Sequence, residues 1–296
     1  MIATTGFFDG VHLGHRLVIE RLVSIARERG DESLVITFWP HPRAVLQDGA
    51  RDLRLLTALE EKKAMLLALG VDRVETVPFT RGFAALTAGQ FLRDVLQARY
   101  GVTTLLMGYD NRVGSDRLTA AQLLPAAESL GIELVEVEPL GQGTHPESVV
   151  KISSTCIRKA LEKGEVERAA QMLGYDYPLT GVVVAGNRLG RTIGFPTANL
   201  KLYEPLKLVP GRGVYAVDVE VLGKRWRGMT NIGLRPTVGG TYTTIETHIL
   251  DFDEDIYGLP LTVSFLRRLR DEIHFSSLEE LRSRLEKDRE ICRFIK

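Results

Sequence analysis

The sequence has few of the features that identify secreted, disulfide-rich or membrane-spanning proteins. Its 296 residues include only two cysteines, Cys156 and Cys292, which lie far apart and match no metal-ligand spacing. Because two cysteines are too few for a disulfide framework, we expect a reducing, cytoplasmic setting. The N-terminal residues contain no basic stretch followed by an apolar one, and no run approaches the ~20 apolar residues of a membrane helix. We therefore expect neither secretion nor membrane attachment.

The chain also lacks an excess of charge of either sign. Lys plus Arg and Asp plus Glu each number 38, so the formal net charge is zero. Proteins whose main role is to bind nucleic acid usually carry a positive surface, and we expect no such partner here. With 44% hydrophobic and 26% charged residues, the composition is that of a globular protein, and its length indicates about two domains.

The first half alternates short β-rich runs with amphipathic helical stretches. The predicted strands are Ile2–Thr5, Ser33–Phe38, Arg73–Val77, Thr104–Met107 and Glu133–Val137. The predicted helices are Leu17–Arg29, Ala58–Leu69, Gly89–Arg99 and Ala120–Leu130, each followed within two residues by a glycine of the kind that ends helices. This alternation predicts a doubly wound, Rossmann-like parallel sheet, which binds ligands beyond the carboxyl ends of its strands.

The second half changes character from Tyr177 onward. Its predicted strands are Thr180–Ala185, Gly213–Val221, Arg225–Ile232, Thr244–Leu250 and Leu261–Leu269. Turn residues separate these strands, which predicts a compact antiparallel β-barrel. The tail, Ser277–Phe294, starts with a Ser-x-x-Glu capping box and continues as an amphipathic helix.

A strand, Ser148–Ile152, and two helices, Ser154–Gly164 and Val166–Leu173, are predicted between the two halves. We therefore predict an α/β protein with one domain at residues 1–173 and a second at residues 178–296.

The densest motif follows the first predicted strand and opens the first helix. It reads Gly6-Phe-Phe-Asp-Gly-Val-His-Leu-Gly-His15. Glycines let the backbone approach an anion, and a helix N-terminus directs free N–H groups at it. His12 and His15 are three residues apart, so both can face the same phosphates and donate to developing negative charge. A tight turn would explain two histidines alone, whereas the glycines and the strand-to-helix context favour a phosphate site.

Three further stretches lie on loops where such a sheet presents its ligands: Phe38–Pro42, Met107–Arg117 and Ile152–Arg158. The last has three hydroxyl side chains at a helix start, a composition that suits a triphosphate, although an ordinary helix cap would explain them by themselves. Together with the first motif, these stretches resemble the adenylyltransferase module of the bifunctional riboflavin kinase/FMN adenylyltransferase family, which belongs to the HxGH nucleotidylyltransferases.

The resemblance implies that this half transfers AMP from ATP to FMN, with His12, His15 and Arg158 stabilising charge at the α-phosphate. The other ATP or phosphate contacts that it implies are Gly6, Phe7, Asp9, Gly14, Asp110, Arg117, Ser153, Ser154 and Thr155. The implied flavin contacts in this half are His41 and Pro42. The sequence departs from the family pattern at Asn111 and Val113, where aromatic residues are expected.

The second half opens with a glycine-rich stretch, Gly181–Asn199. Its loop carries Gly186, Arg188, Gly190, Arg191 and Gly194. This composition suits phosphates, but no Gly-Lys-Ser/Thr follows, so the stretch is not a P-loop. A glycine-rich hairpin explains the stretch alone equally well. Thr197 and Asn199 supply hard oxygen ligands of the kind that Mg²⁺ prefers.

Gly190–Asn199 reads Gly-Arg-Thr-Ile-Gly-Phe-Pro-Thr-Ala-Asn and resembles the riboflavin kinase family, as do Asn231–Thr237 and Ile245–Phe252. The resemblance implies that Thr197 and Asn199 bind Mg-ATP and that Glu246 takes the proton from the ribityl 5′-hydroxyl. The implied ATP or phosphate contacts are Gly186, Gly190, Arg191, Gly194 and Asn231, and the implied flavin contacts are Arg235 and Thr237.

Two neighbouring features are open to a structural interpretation. His248 is expected on the same side of its strand as Glu246, as a structural or flavin-adjacent residue. The acids Asp251 and Asp253–Asp255 are better explained as a solvated turn than as a metal cluster.

The sequence therefore predicts an ATP-dependent enzyme that phosphorylates riboflavin to FMN and adenylylates FMN to FAD, releasing pyrophosphate. We expect a requirement for Mg²⁺ or another divalent cation. The expected partners are riboflavin, FMN, FAD and ATP, without nucleic acid or membrane, and a weak homo-oligomer is compatible with the sequence. Two alternatives stay open: a kinase with an impaired first half, and a flavin-responsive binding protein without turnover, against which Glu246 and the two histidines argue.

Overall fold

The structure is a computed structural model that describes residues 1–47, 52–138, 152–186, 189–237 and 240–295. The chain divides into two compact units, Met1–Ser154 and Thr155–Lys296. None of the helices among the described residues is long and apolar enough to span a membrane.

A five-stranded parallel sheet forms the centre of the first unit. Its strands are β1 (Ile2–Thr5), β2 (Ser33–Trp39), β3 (Arg73–Pro78), β4 (Thr104–Gly108) and β5 (Glu133–Val137). They lie in the order β3-β2-β1-β4-β5, so the order reverses at β1. The predicted doubly wound sheet is confirmed, and the reversal places the carboxyl end of β1 where such sheets bind ligands.

Short and long helices cover both faces of this sheet. They are α1 (Leu13–Arg29), α2 (Pro42–Leu46), α3 (Leu59–Ala68), α4 (Arg81–Ala84), α5 (Ala88–Gln90), α6 (Ala98–Tyr100) and α7 (Ala120–Ser129), with a π-helical segment, Phe91–Gln97, between α5 and α6. Strand alternation divides the core, since Ala3 and Leu105 pack in one layer whereas Ile2 and Leu106 pack in the other. The helix predicted from Leu17 begins at Leu13, because His12 caps it.

The second unit contains a closed barrel of six antiparallel strands, as predicted. Its strands are β6 (Tyr177–Val184), β7 (Ala198–Leu202), β8 (Gly213–Val221), β9 (Lys224–Thr237), β10 (Gly240–Ile249) and β11 (Pro260–Arg270). The barrel order is β10-β7-β6-β11-β8-β9. Strand β7 was not predicted, because the Pro-Thr sequence before it is typical of a turn.

Four helices accompany the barrel sequence: α8 (Ser154–Glu162), α9 (Val166–Leu173), α10 (Leu189–Thr192) and α11 (Leu278–Phe294). Helix α9 packs against β6 and β11, which places it in the second compact unit. The predicted limits of the two functional domains, residues 1–173 and 178–296, stay a prediction. The predicted strand Ser148–Ile152 lies outside the described residues except for Ile152, which is in no strand.

Candidate functional site

The loop after β1 is held in place by the buried carboxylate of Asp9. Its oxygens accept hydrogen bonds from the Leu56 N–H at 2.9 and 3.1 Å and from the Thr57 N–H at 3.1 Å. The Thr57 hydroxyl in turn accepts a hydrogen bond from the Gly10 N–H at 3.1 Å. The Ser154 hydroxyl donates to the Asp9 carbonyl at 3.0 Å. Asp9 and Ser154, both predicted at an ATP site, therefore fix the backbone of this loop.

His12 and His15 lie together at the start of α1. The His12 Nδ1 accepts a hydrogen bond from the His15 N–H at 3.3 Å, and the two rings stack with centroids 3.6 Å apart. Gly14 lies against the His12 ring, since a Cβ there would lie 3.3 Å from it. Burial, followed by the neighbouring His12 and Lys62, holds the pKa of His15 well below its ordinary value of 6.5. His15 is therefore a neutral imidazole at pH 7, able to donate to an anion.

A cavity of about 470 Å³ opens at the carboxyl end of β1 and β4. Its aromatic lining residues are Phe7, Phe38, Phe79, Phe83 and Phe91. The predicted site residues Gly6, Phe7, Pro42 and Arg117 all line it. Such an aromatic cavity suits a planar ring system.

The two departures from the family pattern, Asn111 and Val113, line this same cavity. These two side chains therefore form part of the cavity wall and help to set its shape. His41 contacts the cavity through the Phe7 ring, with centroids 4.2 Å apart. Asp110 is exposed in the turn after β4, outside the cavity lining.

The predicted cluster at residues 153–158 is divided between the units. Ser153 and Ser154 belong to the first unit, whereas Thr155 and Arg158 lie on α8 in the second. A role for Thr155 and Arg158 in adenylylation stays a prediction.

Sequence reasoning missed Lys62, which is 1% exposed on α3. Its Nζ donates to the Phe7 carbonyl at 2.8 Å and lies 3.9 Å from the centroid of the Phe7 ring. The available signal was its position four residues before Leu66, which places both residues on one side of α3.

Glu246 on β10 is the centre of the second site. Its strand register places it opposite Asn199 of β7 on one side and Asn231 of β9 on the other. Its Oε1 accepts a hydrogen bond from the Arg235 Nη2 at 2.9 Å, and its Oε2 accepts one from the Thr197 hydroxyl at 3.4 Å. Two predicted residues, Arg235 and Thr197, thus contact this carboxylate, and two more, Asn199 and Asn231, lie opposite it on the neighbouring strands.

Two glycines of the glycine-rich stretch lie close to Asn199 and Phe195. A Cβ on Gly186 would lie 2.3 Å from the Asn199 Nδ2, and one on Gly190 would lie 2.1 Å from the Phe195 carbonyl oxygen. Gly194 has a φ of 82°, which favours glycine. Gly186 therefore leaves room for the carboxamide that was predicted as a metal ligand.

A second cavity, of about 260 Å³, lies beside this loop. Arg191 and Thr197 line it, so Thr197 connects the cavity with Glu246. The acids Asp253–Asp255 also line it and are exposed, in agreement with a solvated turn.

His248 has a structural position in the barrel. Its Nδ1 lies 2.8 Å from the Pro196 carbonyl oxygen, and its ring centroid lies 5.1 Å from that of Phe195. Burial lowers the pKa of His248, which keeps the ring neutral at pH 7. Thr237 ends β9, but its side chain lies outside the described residues, as does Arg188.

Two protein-family models match the two halves of the chain. Residues 1–156 match the FAD synthetase family, and residues 173–295 match the riboflavin kinase family. The bifunctional riboflavin kinase/FMN adenylyltransferase of Escherichia coli K12 is 39% identical over 289 residues, covering 97% of this chain and 90% of its own length. The chain belongs to the bifunctional riboflavin kinase/FMN adenylyltransferase family. The enzyme of Bacillus subtilis 168 is 37% identical, covering 98% of this chain and 90% of its own.

A solved structure extends the similarity to the fold. A Streptococcus pneumoniae protein named as a macrolide-efflux protein is 34% identical and superposes with a TM-score of 0.91, covering 100% of this chain and 94% of its own. The family matches and the curated relatives show that the chain is an ATP-using enzyme that phosphorylates riboflavin to FMN and adenylylates FMN to FAD, as the sequence predicted.

Proposed function

We propose that the barrel phosphorylates riboflavin at Glu246 and that the parallel-sheet unit adenylylates FMN at His12 and His15. The observation that carries this division is the presence of a complete polar site in each unit. Glu246 meets Arg235 and Thr197 in the barrel, and the stacked histidines begin α1 beside an aromatic cavity.

In the barrel, Glu246 accepts the proton of the ribityl 5′-hydroxyl as that oxygen bonds to the γ-phosphorus and the bond to ADP breaks. The Arg235 ion pair holds the carboxylate in one orientation. Asn231, which lies opposite Glu246 on β9, contacts the ATP phosphates together with Gly186, Gly190, Arg191 and Gly194.

The residues around Glu246 also fit a divalent cation. The Thr197 hydroxyl and the Asn199 carboxamide are hard oxygen donors. Because Gly186 has no side chain, the Asn199 carboxamide fits beside it without a clash. We propose that these two residues hold Mg²⁺ together with the ATP phosphates. When bound, the ion neutralises phosphate charge during the transfer.

In the first unit, the isoalloxazine ring of FMN occupies the aromatic cavity, against Pro42 and the ring pair formed by Phe7 and His41. An FMN phosphate oxygen attacks the α-phosphorus of ATP, and the bond to pyrophosphate breaks. His12, His15 and Arg117 stabilise the charge that develops there. Asp9 contributes by holding the loop rather than by contacting phosphate. Its oxygens already accept hydrogen bonds from the Leu56 N–H, the Thr57 N–H and the Thr57 hydroxyl.

Because both reactions consume ATP, we propose that the enzyme works in the cytoplasm, where ATP is made. Its partners are the small molecules riboflavin, FMN, FAD and ATP.

Glu246→Gln tests the kinase half of the proposal. The variant keeps the shape of the side chain but removes its basicity, so we expect FMN formation to be abolished and FAD formation from supplied FMN to be unchanged. The matched control is Glu220→Gln, an exposed glutamate on β8, which leaves both rates unchanged.

The double variant His12→Ala/His15→Ala tests the other half. We expect it to lose FAD formation and to keep FMN formation, whereas His274→Ala, at an exposed position, keeps both. Loss of both activities in either site variant, with both units folded, would contradict the division.

A further inference from the structure

Lys62 is a buried cation of the first unit, and the proposed mechanism does not use it. It is 1% exposed, and burial lowers its pKa to about 8, with Asp9 acting in the opposite direction. A lysine is rarely buried in this way unless its charge is matched or serves a function. At pH 7 Lys62 therefore brings a largely protonated ammonium into the interior behind the loop after β1.

The contacts of Lys62 are concentrated on one residue of that loop. Its Nζ donates to the Phe7 carbonyl at 2.8 Å and lies 3.9 Å from the Phe7 ring centroid. The buried Thr37 hydroxyl donates to the same carbonyl at 3.3 Å. Two donors thus hold the Phe7 carbonyl toward the interior, while the Phe7 ring lines the aromatic cavity.

Peptide geometry carries this constraint to the next residue. The carbonyl of Phe7 and the N–H of Phe8 point in opposite directions across a trans peptide. A carbonyl held against Lys62 therefore turns the Phe8 N–H to the other side of the loop. Phe8 itself has a φ of 50°, a strained conformation that persists only where its surroundings enforce it.

Lys62 also acts on the histidine pair. It is one of the charges that lower the pKa of His15, after burial and His12. The His15 Nδ1 is buried, and the described residues provide it with no hydrogen-bond partner. The Lys62 charge therefore adds to the effect of burial and His12 in keeping His15 neutral, and adds positive potential where the ATP phosphates bind.

We propose that Lys62 is a positioning residue for FMN adenylylation, whose buried ammonium fixes the Phe7–Phe8 peptide and supplies positive charge behind the loop that carries His12 and His15. This inference rests on the proposed function, because it assigns adenylylation to that loop. Its role is indirect, since a side chain 1% exposed is shielded from the substrates.

The test compares Lys62→Met with Lys63→Met. Lys63 is the next residue of α3, lies partly exposed, and pairs with Glu60 at 3.2 Å, so it matches Lys62 in chemistry but not in position. For Lys62→Met we expect kcat for FAD formation from FMN to fall about a hundredfold, as a misplaced site does, with KM for ATP changed much less. Lys63→Met keeps the wild-type kcat. Fluorescence of Trp39 in a Trp226→Phe background shows whether the first unit of each variant is folded. Riboflavin phosphorylation, which belongs to the other unit, should change less than twofold.

The pH profile separates positioning by charge from simple packing. We expect kcat for FAD formation by the wild type to fall as the pH rises above about 8, because Lys62 then loses its proton. Lys62→Arg removes this fall, since a guanidinium stays protonated there. Among the described residues, the titratable groups that interact with Lys62 are Asp9 and His15, and the pKa of His15 is lowered well below 6.5.

Two results would overturn the inference: wild-type kcat in Lys62→Met, or a fall above pH 8 that Lys62→Arg retains. The double variant His12→Ala/His15→Ala distinguishes this failure from failure of the proposed function. If that variant still makes FAD, the site assignment is wrong; if it makes none while Lys62→Met matches Lys63→Met, only the role of Lys62 is wrong.

Discussion

At the scale of single residues, the buried carboxylate of Asp9 joins two loops that are distant in sequence. Asp9→Asn puts an N–H₂ group against backbone donors at Leu56 and Thr57. We expect the free energy of unfolding of the first unit to fall by about 1–3 kcal/mol. The chain has two tryptophans, Trp39 in the first unit and Trp226 in the second. Denaturation followed by fluorescence in a Trp226→Phe background therefore reports the first unit alone.

The matched control for Asp9 is Asp110→Asn, an exposed aspartate of the same unit. Its effect should stay within about 0.5 kcal/mol, as for most surface substitutions. Equal effects of the two substitutions would mean that the Asp9 hydrogen bonds do not stabilise the loop.

The lowered pKa of His15 makes the stability of the first unit depend on pH. Between the lowered pKa of the folded state and the ordinary value of 6.5, the unfolded chain binds a proton that the folded chain does not. Stability therefore falls as the pH decreases through and below 6.5, and is fully present above it. We expect His15→Gln to make the unfolding free energy, followed through Trp39 from pH 7.5 down to pH 5, less dependent on pH. Parallel curves for His15→Gln and the wild type would exclude this contribution.

Sequence reasoning at the residue scale succeeded where a motif is continuous and failed where a partner is remote. The family motifs led to Thr197, Arg235 and Glu246, and the structure brings these three side chains together. The pairing of Asp9 with Leu56 joins residues 47 positions apart, and no local pattern encodes such a contact. Lys62 was missed for the same reason, because its partner Phe7 lies 55 positions away.

At the scale of elements, α11 is attached to the barrel through a buried carboxylate. Asp288 is fully buried, with its oxygens 2.8 Å from the Arg270 Nε on β11 and 3.1 Å from the Arg284 Nε. Asp288→Ala leaves the largely buried Arg270 without this partner, so we expect the second unit to lose about 3–5 kcal/mol of unfolding free energy. Denaturation followed through Trp226 in a Trp39→Phe background measures this loss.

The control for α11 is Lys287→Ala, because Lys287 is exposed on the same helix turn. Its effect should be within about 0.5 kcal/mol. If Asp288→Ala destabilises the barrel no more than Lys287→Ala does, the ion pair does not attach the helix.

Most elements were predicted because their periodicity is strong. Helix α9, Val166–Leu173, and strand β8, Gly213–Val221, have the predicted bounds. Strand β7 was missed because its pairing with β6 and β10, rather than its own pattern, stabilises it. The π-helical geometry of Phe91–Gln97 was likewise not predicted, since the spacing of its apolar residues resembles that of an α-helix.

At the scale of the whole molecule, the two reactions share one intermediate, FMN, and we propose that each unit carries the site of one reaction. The change from helical to strand periodicity near Tyr177 was sufficient to predict two folds. It did not predict that α8 and α9 group with the barrel, because their apolar faces do not specify which surface they cover. If each reaction belongs to one unit, two proteins disabled in different units should complement each other in solution.

The most direct test of this account is chromatography of the products formed from riboflavin, ATP and Mg²⁺ by Glu246→Gln mixed with His12→Ala/His15→Ala. We expect unchanged riboflavin with the first variant alone, FMN with the second alone, and FAD with the mixture, because FMN released by one protein reaches the other. FAD from either variant alone, or no FAD from a mixture whose Glu246→Gln component converts supplied FMN, would contradict the account.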